Sequence, residues 1–119
     1  MGTPSAGSII SEAEAEIVVP TPDPKEYLKI VSGDQFALLN RIVIAESGWR
    51  VDAKNKRSTA SGLFQFLDST FASFCIKKYA MAESLDQKND PYIQMDCAVK
   101  MIQDGGLSHW NASKQNWSK

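Results

Sequence analysis

Beyond residue 25 the apolar residues recur at three- and four-residue spacing and hardly ever alternate, a helical pattern. Tyr27, Leu28 and Val31 form one short apolar face. Asp34 is placed to cap a second helix, in which Phe36, Leu39, Ile42 and Val43 make the stripe. Leu38 and Ala45 widen that stripe, which predicts a largely buried helix running into Glu46-Ser47-Gly48. Gly48 suits the left-handed residue that ends helices. Residues 49–62 are polar and irregular, a loop or a short strand hairpin. Asp68 or Ser69 then caps a helix carrying Phe71, Phe74, Cys75 and Tyr79, and a polar loop covers residues 83–89. Asp90-Pro91 reads as a helix start, a capping acid followed by Pro at the first helical position. Tyr92, Met95, Val99 and Ile102 supply its stripe, and Gly105-Gly106 end it. Trp110 and Trp117 fall in a last short helix or set of compact turns. The predicted fold class is all-α, or a helix-dominated α+β if the 49–62 hairpin forms.

Residues 1–24 break the pattern. Glu12, Glu14 and Glu16 alternate with alanines, and Pro20, Pro22 and Pro24 follow. Proline at alternate positions removes amide donors and favours extended chain. A flexible, Pro-rich tail or linker over 1–24 and one domain over 25–119 are expected, with simple terminal disorder the alternative reading of the tail.

Composition narrows the function classes. A chain of 119 residues suits one domain, and its net charge of −1 gives no reason to expect nucleic acid as a partner. The basic run Lys54, Lys56 and Arg57 reads as a solvated loop. No stretch approaches the roughly 18 apolar residues of a membrane span, and no apolar signal segment follows Met1. Two cysteines and one histidine, His109, fall short of a zinc site, and no acid-rich calcium loop appears, so no metal and no cofactor are expected.

Glu46 is the first residue with chemical promise. A carboxyl at the end of an apolar helix is disfavoured as an anion by burial and by the negative helix C-terminus. Both effects raise its pKa, as a general acid near neutral pH requires. In isolation it reads rather as a solvent-facing glutamate on a last turn.

Its surroundings change that reading. Glu46-Ser47-Gly48-Trp49 is followed by Ser61-Gly62-Leu63-Phe64-Gln65-Phe66 and a Ser69-Thr70 helix start. Asp90-Pro91-Tyr92-Ile93-Gln94 comes next, and Gly106-Leu107-Ser108-His109-Trp110-Asn111-Ala112-Ser113 with Trp117 closes the chain. These ordered blocks resemble the soluble lytic transglycosylase and goose-type lysozyme superfamily over about residues 34–117. The resemblance implies a lysozyme-like fold with a cleft, acting on the glycan strands of bacterial peptidoglycan. It implies Glu46 as catalytic acid, then base, and Ser47 as a hydroxyl that bonds the carboxyl or the sugar. It implies Gln65 as the cleft glutamine meeting N-acetyl sugars, with Gly62 allowing close backbone approach. Phe64 and Phe66 alternate around Gln65, so one stacks on a sugar and the other enters the core, or both are core. Trp49, Trp110 and Trp117 have faces suited to sugars, with core packing the default for at least one.

Two departures stand out. The family's Asn-Ala-Tyr-Asn segment, whose tyrosine helps hold the acid, is absent, so that role is empty or filled from the Trp110–Trp117 region. Tyr79 and Tyr92 are further candidates, though packing is the commoner use of each. Relatives in the lysozyme-like branch often bridge cysteines at the places held here by Ala45 and Asn116. Cys75 and Cys97 instead sit on two helices expected to be neighbours. Action outside the membrane, implied by the family, favours a disulfide there over two buried thiols.

A hydrolase normally flanks the scissile bond with two carboxyl groups. Asp52 is the best second candidate, since Asp68 is better used as a cap. A lytic transglycosylase needs one acid, and that reading is preferred: cleavage of the MurNAc–GlcNAc β-1,4 bond with 1,6-anhydromuramyl products. A hydrolytic muramidase of the same fold and a non-catalytic peptidoglycan-binding module are the alternatives. The expected protein is a monomer working outside the cytoplasm (secreted, periplasmic, wall-associated or phage-delivered), with His109 exposed near the end of the cleft.

Overall fold

The computed structural model describes residues 20–118, so nearly all of the expected tail lies outside the described residues. Asp23 opens helix α1 (Pro24–Ser32), its carboxylate accepting from the Glu26 amide at 2.9 Å. Gly33, at φ 56°, ends α1, and a 3₁₀ turn over Gly33–Gln35 leads into α2 (Phe36–Glu46). Asp34 lies inside that turn and does not cap α2; Gln35 holds the cap position and makes no side-chain cap bond. The turn itself supplies the bond that Asp34 was expected to make, because the Phe36 amide reaches back to the Gly33 carbonyl.

The stripe of α2 is as the spacing predicts, with Leu39, Ile42 and Val43 fully buried. Gly48 and Trp49, at φ 61° and 65°, turn the chain sharply after it. Residues 50–67 form turns held by two isolated antiparallel bridges, Lys54 with Ser61 and Ser61 with Phe66. The expected hairpin is thereby reduced to a pair of contacts sharing one residue. A single-turn helix, α3 (Asp68–Thr70), passes directly into a π-helical stretch over Phe71–Lys78. Leu67, not Asp68 or Ser69, occupies the cap position. Asp68 instead pairs with Lys88 Nζ at 2.7 Å.

Helix α4 (Pro91–Gln103) starts as read, with Asp90 Oδ1 accepting from the amides of Tyr92 and Ile93 at 2.9 and 3.3 Å. It ends in a Schellman turn, where Gly105 takes φ 89° and the Gly106 amide bonds the Met101 carbonyl at 2.7 Å. A 3₁₀ segment (Leu107–Ser113), kinked at Trp110, then joins α5 (Lys114–Trp117). Helix α1 packs on α2 and α4, while α5 packs on α2. Cys75 and Cys97 are disulfide-bonded, fastening the π-helical stretch to α4. The result is an all-α domain around one core that includes Leu28, Leu39, Phe64, Phe71, Met95 and Trp110.

Candidate active site

Glu46 is the last residue of α2 and stands four and three residues beyond the buried Ile42 and Val43. That spacing turns its side chain toward the core face, so the carboxyl is half-buried instead of fully hydrated. Burial raises its pKa, and a hydrogen bond from Ser113 partly offsets the rise by favouring the anion. Ser113 Oγ donates to Glu46 Oε2 at 2.5 Å across a sequence separation of 67 residues.

The hydroxyl is itself held. Trp117 Nε1 donates to Ser113 Oγ at 3.0 Å and lies 3.2 Å from the Trp110 carbonyl. Arg41 Nε, from the same helix as Glu46, donates to the Trp117 carbonyl at 2.8 Å. Trp110, Ser113 and Trp117 are spaced by three and four residues, so the kinked 3₁₀ segment and α5 bring them together on one side. Sequence reasoning did not single out Ser113; the three-four spacing of the two tryptophans around it was the available signal. Tyr79 and Tyr92 serve elsewhere, donating to Asp104 Oδ2 and to the Pro22 carbonyl, each at 2.7 Å.

The segment around Gln65 is a tight turn. Gln65 adopts φ 53° and donates its Nε2 to the Gly62 and Ala53 carbonyls at 2.9 and 3.1 Å. A left-handed residue breaks strand alternation, so Phe64 and Phe66 do not point to opposite faces. Both are buried, at 0% and 2% exposure, and so is Trp110 at 4%, leaving none of the three with a free ring face. Trp110 Nε1 donates to the Phe64 carbonyl at 3.0 Å, locking the turn to the closing segment. Ser47 is also buried, and its Oγ bonds the Val43 carbonyl at 3.2 Å, not Glu46. Trp49 is half-buried with Nε1 on Asn40 Oδ1 at 2.9 Å.

Gly62 is buried at φ 85°, and the space beyond it is filled by the amide of Gln94. That amide is completely buried and fully bonded: Oε1 accepts from the Phe64 amide at 2.9 Å, and Nε2 donates to the Ser61 and Lys88 carbonyls at 3.0 and 2.8 Å. Gln94 is thus the residue on α4 that holds the Gly62–Gln65 turn in place. Beside this turn a pocket of ≈ 40 Å³ is lined by Gln65, Phe66, Leu67, Thr70, His109 and Trp110, with His109 exposed. A larger depression of ≈ 370 Å³ lies between residues 54–61 and 85–89 and includes neither Glu46 nor Ser113. Asp52 is exposed, and among the described residues it makes no ion pair. No group of three or more His, Cys, Asp or Glu side chains among the described residues could hold a metal.

A family model described as Transglycosylase SLT domain matches residues 31–114, most of the chain. The chain belongs to the SLT transglycosylase family. This SLT domain is also 35% identical over 94 residues to proteins named "Probable transglycosylase SceD" from Staphylococcus aureus strains Newman, Mu3 and USA300. The aligned stretch is 78% of this chain and 39% of each relative, so the chain spans well under half of their length. No solved structure matches it significantly. The span matched to the SLT model includes Glu46, Gln65 and Ser113, while Trp117, which orients Ser113, lies just outside it.

Proposed function

We propose that this domain is a lytic transglycosylase that cleaves the MurNAc–GlcNAc β-1,4 bond of peptidoglycan with Glu46 as its single acid and base. The observation that carries the reading is the half-buried Glu46 carboxyl, raised in pKa by burial and held by Ser113. Protonated Glu46 gives its proton to the glycosidic oxygen as the C1–O bond breaks. The resulting carboxylate then takes the proton of the muramyl C6 hydroxyl as that oxygen attacks C1, giving a 1,6-anhydro end and restoring the acid. The substrate supplies the nucleophile, so no second carboxylate is needed.

Membership of the SLT family and the likeness to transglycosylase-named proteins support this substrate class. The Cys75–Cys97 disulfide supports action outside the cytoplasm, where such bonds persist. No described helix is long and apolar enough to cross a membrane. Residues 1–24 are proposed to tether the domain, and the domain to act as a monomer. A hydrolytic muramidase would instead draw on Asp52 as its second carboxyl.

The deciding experiment is digestion of purified peptidoglycan with mass spectrometry of the soluble fragments, using Glu46→Gln as the control. Anhydromuramyl ends, absent with Glu46→Gln, are the expected result. Reducing ends would establish hydrolysis, and binding without release would make the domain a glycan-binding module.

A further inference from the structure

The two oxygens of Glu46 have different surroundings. Oε2 accepts the Ser113 hydroxyl at 2.5 Å. Among the described residues nothing bonds Oε1. The only buried side-chain polar atom without a partner there is Gln35 Oε1, so the unbonded Oε1 of Glu46 is not sealed from solvent.

Ser113 has one proton and two lone pairs. An indole N–H can only donate, so the bond from Trp117 Nε1 occupies one lone pair and fixes how the hydroxyl stands. Its proton then has two acceptors within reach, Glu46 Oε2 at 2.5 Å and the Trp110 carbonyl at 3.2 Å. The shorter bond, to an oxygen that bears charge whenever Glu46 is ionised, is the stronger.

We propose that Ser113 is a positioning residue that makes the Glu46 oxygens unequal, occupying Oε2 and leaving Oε1 to give and take the catalytic proton. The inference rests on Glu46 being the acid, as proposed above. In the first step the Oε1–H bond breaks and an O–H bond forms on the leaving sugar, while Ser113 keeps its own proton on Oε2. In the second step the attacking hydroxyl loses its proton to Oε1, and Glu46 ends as it began. Ser113 neither gains nor loses a proton in the cycle; it keeps the carboxyl from rotating and keeps Oε2 from competing.

Charged or titratable side chains on the elements packed against α2 are Lys25, Glu26, Tyr27 and Lys29 on α1, Asp34 in the adjoining turn, His109 in the 3₁₀ segment and Lys114 on α5. Arg41, on α2 itself, is bonded to the Trp117 carbonyl. The causes that move Glu46 are burial and the Ser113 bond, with none of these charges among them, so a change at Ser113 should register directly in its titration.

Ser113→Thr and Ser113→Val are nearly isosteric and differ in the hydroxyl. Ser113→Thr is expected to stay near wild type. Ser113→Val is expected to lose roughly ten- to a hundred-fold in kcat on solubilised glycan strands, with KM little changed. Its rate profile should also extend to higher pH. Carboxyl ¹³C NMR should show Glu46 titrating higher in Ser113→Val than in Ser113→Thr, because the donor that favours the anion is gone. Ser113→Ala repeats the comparison if the branched side chain disturbs Trp117. Matching titrations and matching pH profiles in the two variants would overturn the role of Ser113 while leaving Glu46 as the acid. Activity that survives Glu46→Gln would overturn the acid assignment, and this inference with it.

Discussion

The Gln94 amide stands where a side chain on Gly62 would have to go: its Nε2, Cδ and Oε1 lie 2.1, 2.6 and 2.8 Å from the position of a Cβ built there. One residue of the turn is therefore a glycine for two reasons, its φ of 85° and the buried amide pressed against it. Gly62→Ala should destabilise the domain by about 2–4 kcal/mol, since neither the backbone nor the fully bonded Gln94 can yield cheaply. Denaturant unfolding of the two proteins measures it, and a loss below about 0.5 kcal/mol would mean that the amide moves aside freely.

Glu46 has its own stability signature. Its folded pKa is raised, so folding favours the protonated carboxyl. That contribution is fully present below the unfolded pKa and is lost as pH rises through the folded value. Above the folded value the half-buried anion weighs against folding, and Glu46→Gln should be more stable than wild type there. The advantage should shrink on acidification through the Glu46 titration and vanish below the ordinary carboxyl range. Urea midpoints for both proteins across that pH range give the difference, and an advantage that grows toward acid would contradict the assigned direction.

The disulfide closes a separation of 22 residues between the π-helical stretch and α4. A chain-entropy estimate for a loop of that size is about 3 kcal/mol. Unfolding with and without a reductant, or of Cys75→Ala with Cys97→Ala, should show a loss of that order. An unchanged midpoint under full reduction would mean that packing of Phe71 and Met95 alone holds the two segments together.

Lys88 is 5% exposed and donates from Nζ to the Thr59 carbonyl and Asp68 Oδ1. Asp68 is itself half-exposed, so the pair is worth less than a fully buried one. Removing only the acid nonetheless leaves a buried ammonium with one neutral acceptor. Asp68→Ala should cost about 1–3 kcal/mol, and adding Lys88→Met should recover part of it. A double-mutant cycle on thermal or urea unfolding reads the coupling, and strict additivity would mean that the two side chains act independently.

The helices were legible because their apolar stripes depend only on nearby residues. Leu39, Ile42 and Val43 mark α2, and Asp90-Pro91 marks the first turn of α4. Backbone detail decides what the pattern leaves open or misplaces. Phe64 and Phe66 alternate as a strand would, yet the left-handed Gln65 between them sends both rings into the core. Asp34 looks like a cap, but a 3₁₀ turn carries the chain through it. Asp68 looks like one too, and its partner Lys88 lies 20 residues away. Glu46 stood out through the helix it ends. Ser113 did not, because the spacing of Trp110 and Trp117 around it marks a shared side but not its partner, which lies 67 residues away.

The same separation bears on biosynthesis. During translation the chain carries Glu46 well before it carries Ser113, Trp117 or the α5 contact with α2. Until Ser113 is brought into place, the carboxyl has no hydroxyl on Oε2. The supported acid thus comes into being only as the fold closes, so unfinished or truncated chains that end before Ser113 carry the glutamate without its support.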